Sequence, residues 1–152
     1  MSDGPVTARV RRMVLGAIVL VLVQTGIGTD VNLYVAVPPH HPGAQPANYF
    51  TGSVHSVAWA IAHGAPALAI HASLGLALIV LAIAIPLRTL KIAPRSAGGW
   101  TILAAALIIG AGFNGASFLD FANNGNSLIM ALLALGAIAS YSIALFLVPA
   151  TP

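Results

Sequence analysis

The chain has no cysteine among its 152 residues, and only 6% of them are charged. The first absence excludes disulfide frameworks, iron–sulfur clusters, zinc ribbons and thiol catalysis. The second sits far below the roughly 25% of an ordinary soluble domain. It excludes a soluble globular enzyme, a disordered chain and a nucleic-acid binder of the usual charged kind. Acids are scarcest, three Asp or Glu against six Lys or Arg, too few for a glycosidase or phosphotransferase centre. No G-x-x-x-x-G-K or G-x-G-x-x-G occurs, and no Ser–His–acid order is suggested. What the chain does have is apolar: 59% of it is hydrophobic and its mean hydropathy is +0.95. That is a small integral membrane protein.

A membrane helix needs roughly 20 mostly apolar residues. Four stretches qualify, at about 13–37, 65–87, 99–119 and 127–148. The expected fold is an all-α bundle of four membrane helices in a single domain, residues 1–152. The first stretch follows Arg9, Arg11 and Arg12, as a signal peptide's apolar region would. Its apolar run is long and no small-x-small site leads into a soluble domain, so it is read as a retained helix.

The basic residues fall in two groups, Arg9, Arg11 and Arg12 before the first span, and Arg88, Lys91 and Arg95 between the second and third. With four spans these groups share one side, and the positive-inside rule makes that side cytoplasmic. Both termini are then expected inside, in a plasma (inner) membrane, with segments 38–64 and 120–126 outside. The pI near 10.0 reflects topology and contact with anionic lipid. Asp30, Asp120, His40, His41, His55 and His63 gather at the outer end, and His71 lies about one and a half turns into the second span. A site should therefore lie in the outer half.

The outer segment is Pro-rich as far as Pro46 and has helical character from Ser53 to His63, where His55, Trp59 and His63 share one stripe. A short interfacial helix before the second span is expected, with Trp59 at the membrane boundary and Pro66 in the first turn of that span. Small residues at Ala111-x-x-x-Gly115, Gly112-x-x-x-Ala116 and Gly136-x-x-x-Ser140 let helices approach closely, within the chain or between copies. Asn126 or Ser127 is placed to cap the last span.

Three constellations carry possible chemistry. The outer histidines, His55 and His63 foremost, with Asp30 and Asp120, are candidate Zn or Cu ligands, although their spacing matches no ligand signature. Gln24, Asp30, His71, Asn114 and Asp120 make a candidate polar pocket for a proton, a quinone head group or a small polar ligand. Asn114, in hydrocarbon, needs a partner, with Gln24 or His71 in reach across the bundle. His71 itself is an ionisable group inside a span, which marks a functional site by default. Its plainer reading is a neutral ring bonded to Gln24, Asn114, Ser73 or water.

The setting of His71, HASLG followed by an aliphatic run to Arg88, resembles the haem-ligating helix of bacterial cytochrome b561 and haem A synthase proteins. The resemblance covers about 20 of 152 residues. It implies haem b with His71 as an axial ligand. Those families hold the haem between histidines on different helices, whereas here the first, third and fourth spans have none. His63 does not serve, since eight residues of ideal helix separate it from His71 by about 80° and 12 Å. The second ligand implied is Met130, because His/Met ligation is known for haem, or His71 of a second copy. More broadly, LYV-x-x-P-x-HHPGA, NYF-x-G-x-x-x-SV-x-WAI and FNGASFLDF…NSLIMALL resemble segments of small four-helix membrane proteins of actinobacteria, a group that implies no activity.

No complete catalytic set is present, and no catalytic residue is assigned. The leading expectation is a non-catalytic structural or accessory subunit, self-associated or packed in a larger membrane complex within the lipid bilayer. The first alternative is a haem- or quinone-binding electron-transfer protein using His71. The second is a small transporter or channel with an outer-half polar pocket.

Overall fold

The computed structural model describes residues 4–149. Residues 1–3 and 150–152 of the expected single domain, and with them both termini, lie outside the described residues. Among the described residues the fold is all-α, with five helices: α1 (Gly4–Tyr34), α2 (Tyr49–His63), α3 (Pro66–Ile92), α4 (Arg95–Phe121) and α5 (Asn124–Leu147). All but α2 are long and apolar enough to cross a membrane.

Helix ends follow local chemistry. The helix α1 stops at Tyr34, three residues short of expectation, because Pro38 and Pro39 push the residues before them towards extended backbone. Asn48 caps α2, its side chain accepting from Thr51 N at 3.1 Å, so this helix starts four residues before Ser53. Pro66 opens α3, as expected. The cap of α5 is Asn123, which accepts from Gly125 N at 2.8 Å, and not Asn126 or Ser127. Ala122 makes the turn in left-handed conformation, φ 51°. At the basic end only Ala93 and Pro94 separate α3 from α4. Both helices run past the apolar segment, because Arg and Lys stems lie along apolar surface while their heads reach water.

The helix α1 packs on α3 and α5, and α4 packs on the same two, giving a four-helix ring with antiparallel neighbours. Short turns impose this on α3/α4 and α4/α5. On α1/α5 it is visible at both ends: Arg11 Nη1 donates to Leu145 O at 2.9 Å and Val148 O at 2.5 Å, while Ser127 Oγ donates to Asn32 Oδ1 at 3.0 Å. Large side chains such as Leu22, Val80, Leu132 and Phe146 face outward, where lipid replaces water as their solvent. The interior is built mostly of smaller ones, with Tyr141 and Ile85 the largest fully buried. Val10, Val14, Ala17 and Val21 of α1 meet Ala82, Ile85, Ala104, Ala137 and Tyr141 in the half of the bundle that carries the basic residues. A second, smaller core of Val31, Ala60, Leu68 and Leu119 lies at the opposite, loop end, beneath α2.

The small-residue spacings are consumed within the chain. A Cβ at Gly112 would lie 2.9 Å from Ile79 of α3, one at Gly115 3.2 Å from Met130 Sδ of α5, and one at Gly136 3.2 Å from Leu107 of α4.

Candidate functional site

Between the two cores the bundle leaves a cavity of about 500 Å³. Its walls come from all four long helices, and Val57 of α2 closes part of the loop end. The deep end rests on Val21, Leu78, Ile108 and Ala134, and the rim carries Asn32, Asn124 and Ser127. Much of the wall is Gly or Ala: Gly28, Ala72, Gly75, Ala111, Gly112, Gly115 and Ala131.

One polar pair is set into this wall, and glycine makes room for it. Gln24-x-x-x-Gly28 on α1 runs antiparallel to His71-x-x-x-Gly75 on α3. The His71 ring lies over Gly28, where an added Cβ would stand 2.7 Å from Cε1. The Gln24 amide lies over Gly75, where a Cβ would stand 3.3 Å from Nε2. Each helix thus offers a polar side chain and a hollow for the other's.

The bonding fixes the polarity of the pair. Gln24 Nε2 donates to the His71 carbonyl at 3.0 Å. A carbonyl only accepts, so the amide nitrogen and not its oxygen must face it. The same nitrogen is 3.3 Å from His71 Nε2, which leaves that ring atom as acceptor and the proton of the neutral ring on Nδ1. Two buried atoms of this pair then have no partner among the described residues: the acceptor Gln24 Oε1 and the donor His71 Nδ1. Each such orphan costs about 1–3 kcal/mol.

The expected site residues divide. Gln24, His71 and Met130 line the same cavity, and Gln24 is one of the four partners considered for the ring, with Asn114, Ser73 and water. His71 and Met130 belong to α3 and α5, which lie diagonally across the ring. Asn114 does not reach either side chain; its Nδ2 donates to Gly110 O at 2.9 Å, one turn back on its own helix. Asp30 is exposed on α1, one turn before its end. His55 and His63 are exposed on α2, and among the described residues no three His, Cys, Asp or Glu side chains converge. Trp59 stacks on His41, ring centroids 4.4 Å apart and 15° from parallel.

Asp120 is away from the cavity wall and clamps the loop end instead. It is 2% exposed, accepting from Ser56 Oγ at 2.6 Å and Ser53 Oγ at 2.9 Å. Its carbonyl accepts from Gln45 N at 2.8 Å, and His41 Nε2 is 3.2 Å from Leu119 O. Tyr49 Oη adds a bond to Phe113 O at 3.0 Å. Gly43, at φ 95°, and Gly52 have no room for a Cβ, being pressed against Ser56 and Pro46 respectively. Segment 38–48 is thereby folded onto α2, and α2 onto the end of α4.

No protein-family model matches the chain, and neither a curated protein nor a solved structure does. The protein is a multi-pass helical membrane protein, and a finer reading rests on this geometry.

Proposed function

We propose that this is a non-catalytic membrane protein that holds a lipophilic molecule by its polar head, in the outer half of the bundle, as a binding or accessory component. The observation that carries the reading is the cavity of about 500 Å³ whose wall contains the Gln24–His71 pair with one donor and one acceptor unsatisfied. A hydroxyl donates and accepts at once, so a quinol-type or other hydroxyl-bearing head group suits both atoms after a small turn of either side chain. The apolar body then packs on the Gly- and Ala-rich wall. Small-molecule sites commonly combine an apolar lining with a few polar groups in this way. In this reading the basic end faces the cytoplasm of a plasma membrane, and the rim between Asn32 and Ser127 faces outward. Transport is not part of it, because the Val14, Ala17, Ile85 and Tyr141 core fills the bundle below the cavity.

The test is thermal unfolding of the full chain in lipid nanodiscs titrated with decylubiquinol. A rising midpoint is expected, abolished by Ala131→Phe, which fills the cavity, and reduced by Gln24→Leu. A midpoint that does not respond, or that responds equally in Ala131→Phe, rejects the reading.

A second reading, haem b held by His71 and Met130, is favoured by one observation: both side chains line the same cavity from diagonal helices. Against it, haem propionates at the rim would meet Asn32, Asn124 and Ser127, while every Lys and Arg lies between residues 9–12 or 88–95. An absorption spectrum of protein purified from its native membrane separates the two. A Soret band lost in His71→Ala replaces the first reading with the second.

A further inference from the structure

The basic end holds a second hollow, independent of the cavity above. It lies between α1 and α3, has a volume of about 160 Å³, and is lined by Arg9, Val10, Met13, Arg88, Lys91 and Ile92. Three of the six lining residues are cations, and they come from two helices. Arg88 and Lys91, three residues apart, share a face of α3 because that helix continues to Ile92. Arg9 approaches from α1. The floor is apolar: Val10 is buried at 3% exposure, and Arg88 Nη1 lies 3.9 Å from Met13 Sδ.

Three like charges around one hollow repel each other, and no acidic side chain among the described residues at this end offsets them. Of the chain's three acids, Asp30 and Asp120 sit at the opposite end, and Asp3 lies outside the described residues. Arg11 shows the contrast. Its guanidinium is turned inward onto the last carbonyls of α5, where a cation stabilises the helix end. Arg9, Arg88 and Lys91 have no such carbonyl partner among the described residues. Their heads ring an open hollow at the level where a spanning helix leaves hydrocarbon for the head-group layer.

We propose that this groove is a binding site for one anionic glycerophospholipid. The phosphate sits among Arg9, Arg88 and Lys91, the glycerol backbone lies over Val10, Met13 and Ile92, and the acyl chains follow the lipid-facing sides of α1 and α3. Basic pockets between helices at this depth suit anionic head groups, each cation near the surface contributing about 1 kcal/mol. At 1.4 kcal/mol per tenfold, that is about fivefold in affinity per cation, and about a hundredfold for all three.

The experiment is native mass spectrometry of the full chain released from a neutral detergent, titrated separately with phosphatidylglycerol, phosphatidylcholine and inorganic phosphate. One phosphatidylglycerol retained per chain is expected, with phosphatidylcholine lost on mild activation. R9Q/R88Q/K91Q should weaken retention about a hundredfold. R12Q/R95Q removes two charges that do not line the groove and should change it less than threefold. R9K/R88K keeps the charge and should stay within about fivefold of the parent, which separates lost charge from lost packing. Helicity and elution volume establish that each variant is folded. Equal retention of phosphatidylcholine overturns the proposal. So does an equal loss in R12Q/R95Q, which would mean a diffuse surface potential, and so does displacement by inorganic phosphate at the lipid's own concentration, which would mean a simple anion site.

Discussion

Removing the Asp120 carboxylate should open the loop end without unfolding the bundle. The group is 2% exposed, and no Lys or Arg exists at that end of the chain, so hydroxyls and not cations hold its charge. The 2.6 Å bond from Ser56 has the length of a hydroxyl bonded to an anion. Hydrogen bonds to charged groups contribute about 1.5–3 kcal/mol each, so the Ser53 and Ser56 bonds together give about 3–6 kcal/mol gross. Burying the charge opposes this, and a net loss of about 2–4 kcal/mol is expected for Asp120→Ala. The loss belongs to the segment that Asp120 ties down, residues 41–63, because local regions open separately from the whole. The assay is amide hydrogen exchange in nanodiscs. At 1.4 kcal/mol per tenfold, peptides from Tyr49–His63 should exchange about 30-fold faster or more, with those from α4 and α5 unchanged. Asp120→Asn keeps one acceptor, and a serine hydroxyl can turn to accept from the new amide. Its loss should be about 1 kcal/mol, or roughly fivefold. If Asp120→Ala leaves α2 exchange at the parent rate, or if Asn is as damaging as Ala, the clamp argument is wrong.

Other substitutions address other contacts. Gly28→Ala should lower the unfolding midpoint, since its Cβ falls 2.7 Å from His71 Cε1 and forced displacement in a packed interior costs about 1–3 kcal/mol. Gly26→Ala, with nothing within 4 Å of its Cβ, should be neutral or raise the midpoint, because alanine favours helix by up to about 1 kcal/mol over glycine. Arg11→Gln should free the last turn of α5, read as faster amide exchange at residues 144–148. Its two carbonyl bonds are charge-assisted, so the local loss should be about 1–3 kcal/mol.

The fold was legible because membrane helices announce themselves. With hydrocarbon around them, apolar length alone marks the spans, and the four expected stretches each fall largely within a helix. The errors lie at the ends, where apolar length is silent. Arg88, Lys91 and Arg95 read as a loop, yet they ride on helices joined by two residues. The cap expected at Asn126 or Ser127 falls three or four residues past Asn123, because Asn-Asn-Gly-Asn-Ser offers several capping residues in succession. The site was legible in part. Gln24, His71 and Met130 do line one cavity, since they fall at similar depth. Asp120 lies at the loop end of α4 and turns towards α2, and which way a polar side chain faces depends on helix rotation. Gly28 and Gly75 were missed as site residues. Their signal was present in the matched spacings Gln24-x-x-x-Gly28 and His71-x-x-x-Gly75, which become meaningful only when the two helices are known to be antiparallel neighbours.

That matched spacing also explains why a cavity exists here at all. A bundle with small residues along its inner faces draws its helices together, as the Val10–Val21 face of α1 does in the basic half. In the other half the Gln24 and His71 side chains occupy the interface between α1 and α3, each received by the opposing glycine. On the far side, Met130 meets Gly115 of α4. The glycine hollows admit these long side chains while Ala72, Ala111 and Ala131 leave the middle unfilled. Filling the gap from within should then stabilise the chain while removing its capacity to bind. Ala131→Leu is expected to raise the unfolding midpoint in the absence of ligand and to flatten its response to decylubiquinol. If Ala131→Leu instead lowers the midpoint, the wall is already in contact across the gap, and the cavity that carries the proposed function is not there.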